Sequence, residues 1–127
     1  RVPQYKPGKE RATRIEVRCP DPACNPYLAF AVMLAAGLKG IKENYELCKP
    51  VEEDVFHLSP ERRVEMGIPN LPGTLGEAIA VAEKSEVLRE TLGEHIFEKL
   101  IENKKIEWQE YCAFVSNYDI ERYLPIL

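Results

Sequence analysis

One run constrains the fold more than any other: Thr13-Arg14-Ile15-Glu16-Val17-Arg18. β-Branched and charged residues alternate along it. In extended backbone Ile15 and Val17 therefore point one way and Arg14, Glu16 and Arg18 the other. A strand cannot satisfy its ladder N–H and C=O groups by itself, and no second strong strand pattern lies nearby to pair with it. The rest of the chain reads as helix and connection. The expected fold is therefore mainly α with a strand stub, a piece of a larger sheet-containing protein. The opening at Arg1, with no initiator Met and no element ahead of the lead-in, is read in the same sense.

Local chemistry places the helices. Residues 1–25 form the lead-in, strand and turn, the lead-in broken by Pro3, Pro7 and Gly8; residues 26–127 are helical. Asn25-Pro26 supplies an N-cap and a first-turn proline, and the helix that follows from Tyr27 to Leu38 is apolar nearly all round, which predicts burial. Its small residues Ala29, Ala31, Ala35, Ala36 and Gly37 would admit close neighbours. Val51 to Leu58 reads as a short acidic-start helix. Ser59-Pro60-Glu61 opens another, ended by Gly67. Thr74-Leu75-Gly76-Glu77 fits a capping box, with Leu75, Ile79, Ala80 and Ala82 on the core side. Ser85 caps a helix ending at Gly93. The longest helix runs from Glu94 to about Phe114, with Ile96, Phe97, Leu100, Ile101, Trp108, Tyr111 and Phe114 as its apolar set and Glu102-Asn103-Lys104-Lys105 as a solvated stretch. Asn117 is expected to cap a last helix through Tyr123, closed by Pro125.

With 127 residues the chain has room for one domain with a modest core. Apolar residues at 45% and charged residues at 30% exclude a disordered chain. The formal charge of −4 argues against general affinity for nucleic acid or anionic membrane surfaces. The longest apolar run, Pro26 to Leu38, is shorter than the roughly 20 residues a membrane-spanning helix needs. No apolar signal-peptide core is present, and a cytoplasmic protein is the default. Cys19, Cys24, Cys48 and Cys112 form no C-x-x-C pair that would, with His57 or His95, indicate zinc. They read as free, mostly buried thiols in a reducing compartment.

The face made by Arg14, Glu16 and Arg18 has two readings. It is the solvated side of a strand with cross-strand ion pairs, or it is a site where Glu16 gives one oxygen ligand to Mg²⁺ or Mn²⁺ and the arginines fork onto phosphate or carboxylate oxygens. One carboxylate is not a site; further oxygen ligands must come from elsewhere.

The segment Ala12-Thr13-Arg14-Ile15-Glu16-Val17-Arg18, the turn Pro20-Asp21-Pro22 and the run Asn25-Pro26-Tyr27-Leu28-Ala29-Phe30-Ala31 resemble the final catalytic segment of prokaryotic type I glutamine synthetases. Gly37-Leu38-Lys39-Gly40-Ile41 resembles that family's "GLxGI" helix end, Leu71-Pro72-Gly73-Thr74-Leu75-Gly76-Glu77-Ala78 its "LPGSLxEAL", and Tyr123-Leu124-Pro125 a common C-terminal ending. The resemblance spans essentially the whole chain, residues 1–127. It implies the C-terminal part of an α+β catalytic domain that ligates ammonia to glutamate with ATP through a γ-glutamyl phosphate. It further implies two or more Mg²⁺ or Mn²⁺ ions per site and a double-ring homo-oligomer, with active sites between adjacent subunits. Carried over residue by residue, Glu16 matches a metal-ligand glutamate. Arg18 matches an arginine at the reacting carboxylate or acyl phosphate. Arg14 and Arg11 fall at nucleotide-associated positions, Arg11 standing where lysine is frequent. Arg1 matches the arginine of the "IRIP" segment facing the ATP phosphates, across a spacing that varies in the family.

Two departures stand out. Glu53-Asp54-Val55-Phe56-His57-Leu58 aligns with a loop that carries an adenylylated tyrosine in some members; Phe56 has no hydroxyl, so that control is expected to be absent. The family's remaining metal ligands, its ammonia site and its N-terminal β-grasp domain precede this segment and have no counterpart here. The chain made alone is therefore expected to be inactive. The alternatives are a free-standing non-catalytic interaction module derived from a synthetase, and a related γ-glutamyl-amine ligase.

Overall fold

The computed structural model describes Val2 and residues 4–127; Arg1 lies outside the described residues. Among the described residues five α-helices follow one another: α1 Pro26–Lys42, α2 Pro60–Glu65, α3 Leu75–Ala82, α4 Glu86–Ala113 and α5 Asn117–Tyr123. Single 3₁₀ turns lie at Glu10–Ala12, Val55–His57 and Leu124–Ile126.

Capping chemistry sets the helix ends. The Asn25 side chain accepts from the N–H groups of Tyr27 and Leu28 at 3.0 and 3.3 Å, satisfying two donors that the helix cannot. α1 closes in a Schellman motif: Tyr45 N–H donates to the Gly40 carbonyl and Asn44, at φ 50°, turns the chain. α2 ends likewise, with Ile68 N–H on the Arg63 carbonyl and Gly67 at φ 66°. Ser59, Thr74 and Ser85 each accept from the N–H three residues on. The Glu77 carboxylate reaches back to the N–H of Gly73, at 2.8 Å, one residue before the expected Thr74.

The core is where α1 and α3 pack on α4. Ile79 of α3 and Leu92, Phe97 and Ile101 of α4 are buried, with Leu28 and Val32 of α1 and Leu75, Leu100 and Trp108 packed around them. α4 breaks at Gly93, whose φ of 72° and ψ of 157° are not helical. Arg89 spans the break, its guanidinium 4.1 Å from the centroid of the Phe97 ring and paired with Glu94. Gly76 of α3 lies so close to Trp108 that a Cβ there would meet the indole Nε1 at 2.7 Å. The charged stretch of α4 is solvated and ion-paired, Lys105 reaching Glu83 beyond the end of α3.

Several expectations are corrected. Among the described residues there is no β-strand: Thr13 is extended, but no ladder forms along residues 13–18. α1 is not buried. Leu28 and Val32 meet the core, while Tyr27, Phe30, Leu34, Leu38 and Ile41 are exposed, because this chain supplies cover for one side only. The four cysteines are free as expected but exposed, not mostly buried, because among the described residues only four make up the buried core. Ala80 faces solvent. Of the expected apolar set of α4, Ile96, Tyr111 and Phe114 are exposed. Val51–Leu58 condenses to one 3₁₀ turn capped by Asp54. The N-cap of α5 is Ser116, one residue earlier than Asn117, in a reciprocal capping box with Asp119.

Candidate functional site

The residues singled out in the sequence lie on the segment leading into α1. Its first part is a closed turn. Gly8, at φ 78°, lets Lys9 N–H return to the Lys6 carbonyl at 3.1 Å. Glu10 holds the turn shut, its Oε1 accepting from Gly8 N–H at 2.9 Å and from the Tyr5 hydroxyl at 3.2 Å. Its own backbone N–H, then that of Gly8 and the Tyr5 hydroxyl, hold the Glu10 carboxyl below the usual carboxylate range. Arg11 sits in the 3₁₀ turn that follows.

Beyond Thr13 the side chains divide by period two even without a ladder. Arg14 donates from Nη1 to the Ala12 carbonyl at 3.2 Å and lines a hollow of about 400 Å³ with Lys6, Lys9 and Thr13. Ile15 and Val17 line a larger apolar hollow of about 790 Å³ against Phe30, Met33 and Leu34 of α1. Glu16 and Arg18 form an ion pair through Oε1 and Nε, with the Glu16 side chain 34% exposed and that of Arg18 70%.

The structure thus joins Glu16 to Arg18 and gives Arg14 to a different hollow, which Arg11 does not line among the described residues. In the sequence Lys6, Lys9 and Glu10 read as irregular lead-in; lysines flanking the turn dipeptide Pro7-Gly8 are the available signal. Among the described residues no group of three or more His, Cys, Asp or Glu side chains is placed to hold a metal ion. The residues present therefore do not fit a complete Mg²⁺ or Mn²⁺ site. No helix among them is long and apolar enough to cross a membrane. On the far loop, Asp54 pairs with His57 Nδ1 at 2.8 Å, and Phe56 is exposed, edge-on to the His57 ring at 5.2 Å.

The family model described as glutamine synthetase, catalytic domain, matches residues 1–123. The chain belongs to the glutamine synthetase family. It is 47% identical over 126 residues to the glutamine synthetase of Mycolicibacterium smegmatis, covering 99% of this chain and 28% of that protein. The glutamine synthetase of Thermotoga maritima is 48% identical over 124 residues, covering 98% and 28%. That of Methanosarcina mazei is 51% identical over 115 residues, covering 91% and 26%. The chain thus spans little more than a quarter of the length of these curated relatives, and it is the C-terminal part of the synthetase catalytic domain.

Proposed function

We propose that this chain is the portion of a glutamine synthetase that carries Arg14, Glu16 and Arg18 into the active site of a longer ligase. The observation that carries the reading is the family match over residues 1–123, at 47% identity to one synthetase along nearly the whole chain. The reaction is ATP-dependent ligation of ammonia to glutamate. The side-chain carboxylate of glutamate attacks the γ-phosphorus of ATP and ADP leaves. Ammonia then attacks the acyl carbon and phosphate departs. Arg18 binds the reacting carboxylate and the acyl phosphate through forked hydrogen bonds. Arg14, Arg11 and Arg1 serve the nucleotide. Glu16 would give one oxygen ligand to a site for Mg²⁺ or Mn²⁺ whose remaining ligands would come from outside this chain. The ion pair with Arg18 supports this, since it holds the guanidinium beside the Glu16 carboxylate.

The partners follow from the same reading: glutamate, ammonia and ATP as substrates, the remainder of the synthetase chain, and further copies in a double-ring homo-oligomer. Nucleic acid and membrane are not partners, and the protein is cytoplasmic. The uncovered face of α1 supports docking against the rest of the domain, and exposed Phe114, Val115 and Tyr118 near the end of α4 support contact between rings. Phe56, exposed and without a hydroxyl, supports the absence of adenylylation on its loop. The same exposed apolar surface also favours a second reading, a non-catalytic module that binds a synthetase or itself.

A chimera tests the choice. In the Thermotoga maritima synthetase, the 124-residue aligned region would be replaced by this chain. The assembled chimera forms glutamine from glutamate, ammonia and ATP, and Glu16→Gln and Arg18→Ala each lower the rate by at least about 100-fold. An assembled chimera that binds ATP and forms no glutamine, or one indifferent to both substitutions, would sink the ligase reading.

A further inference from the structure

Arg18 is joined to α1 by Cys19-Pro20-Asp21-Pro22-Ala23-Cys24-Asn25-Pro26. Proline fixes φ at positions 20, 22 and 26. The residue ahead of each, Cys19, Asp21 and Asn25, is driven out of the helical region into extended backbone; Asn25 stands there at φ −66° and ψ 114°. Ala23 and Cys24 are the two residues of the connection left with ordinary backbone freedom. Asp21 closes both. The Ala23 N–H donates to Asp21 Oδ1 at 2.7 Å, and the Cys24 N–H to the Asp21 carbonyl at 3.0 Å. One residue thus holds the joints that proline leaves soft. The far end of the connection is anchored, since Asn25 caps α1 and Leu28 and Val32 pack on the core. The near end rests on the same helices: Val17, Cys19 and Pro20 line an apolar hollow of about 360 Å³ with Leu28 of α1 and Leu92 of α4. No ladder forms along residues 13–18 among the described residues, so the turn ties Arg18 to the core.

We propose that Asp21 is a positioning residue for Arg18: it locks the turn, so that the guanidinium is presented from a fixed point on the helical core. Arg18 lies three residues from the lock, and the chain between is a proline and its restricted neighbour. Freeing Ala23 and Cys24 therefore swings Arg18 as a lever and is not absorbed on the way. A guanidinium displaced in this way meets one oxygen of the reacting group where it should fork onto two. A displacement of about 1 Å is enough to forfeit much of the rate. The lock needs an acceptor oxygen in the Asp21 side chain and makes no use of its charge. This inference rests on the ligase reading for what Arg18 binds, and adds the residue that sets where Arg18 stands.

The test is a double-substitution cycle in the assembled Thermotoga maritima chimera, reading kcat for glutamine formation, KM for ATP and the thermal midpoint. Asp21→Ala is expected to lower kcat about tenfold, with KM for ATP and the midpoint close to those of the unsubstituted chimera. Asp21→Asn keeps an oxygen acceptor in the same place and is expected to stay within about twofold of the unsubstituted rate. Adding Asp21→Ala to Arg18→Ala is expected to change the rate by less than about twofold, because the residue it acts through is already gone. If Asp21→Ala does not assemble, Asp21→Ser, a weaker acceptor in the same kind of turn, takes its place in the cycle. Equal rates for Asp21→Ala and the unsubstituted chimera, with Arg18→Ala still impaired, would overturn the proposal. So would an Asp21→Asn chimera as slow as Asp21→Ala, which would make the charge the working part. Additive losses in the cycle would also overturn it, making Asp21 a general support of the fold. The ligase reading fails on a different result, an assembled chimera that makes no glutamine, and the proposal then falls with it; in a chimera that makes glutamine, the proposal fails alone.

Discussion

Arg18 and Glu16 show how little of a site two side chains can be. The pair is exposed on the Arg18 side, and an exposed ion pair contributes little to stability. Its value lies in what each partner does when a substrate arrives. Arg18→Lys keeps the charge and loses the fork; in the chimera it is expected to lower the rate of glutamine formation by about tenfold, less than Arg18→Ala does. A rate equal to wild type would show that Arg18 acts as a bulk charge only. Ser116 and Asp119 carry a pH prediction. The Ser116 hydroxyl and then its backbone N–H hold the Asp119 carboxyl below the usual range. A carboxyl depressed on folding stabilises the start of α5 at pH above its unfolded value, and that contribution is lost as pH falls through the lower folded value. NMR titration of the Asp119 carboxyl should place its midpoint higher in Ser116→Ala than in wild type; an unchanged midpoint would remove the capping box as the cause.

At the scale of elements, the helix starts were legible because caps are local chemistry. Asn25-Pro26, Ser59-Pro60, Thr74 and Ser85 each begin the helix that the sequence announces, and Gly93 breaks α4 where expected. Asn25→Ala should destabilise the fold by about 1 kcal/mol, read as a fall in thermal midpoint. Gly76→Ala should cost about 1–3 kcal/mol, because the new methyl meets the Trp108 indole of a neighbouring helix. A midpoint unchanged by Gly76→Ala would mean that Trp108 moves aside freely. What was illegible is non-local. The Thr13–Arg18 run keeps its alternation but forms no strand, since a ladder needs a partner that its own pattern cannot supply. The burial expected for α1 and for the cysteines fails for the same reason: burial is a property of neighbours. Of the candidate site, the Glu16–Arg18 pairing follows from spacing, whereas the closed turn that brings Lys6 and Lys9 to Arg14 depends on Glu10 hydrogen bonds that no periodicity signals.

The whole molecule is a small helical core carrying far more apolar surface than it covers. Among the described residues four side chains are buried, while Phe30, Leu34, Leu38 and Ile41 form an open apolar face beside Ile15 and Val17. Surface of that kind marks a docking site. The purified chain should therefore self-associate with rising concentration in sedimentation, and Phe30→Ser with Leu34→Ser should reduce that association; a strict monomer would argue that the face is tolerated in water. The chain is also little more than a quarter of the length of its curated relatives. The central claim, that it works as part of a larger synthetase subunit, is tested most directly by the mass of the natural polypeptide, measured in its source cells with an antibody against this segment. A polypeptide several times heavier than 14.5 kDa is the result predicted here. A product at 14.5 kDa would contradict it, and would give the apolar face to a separate binding partner.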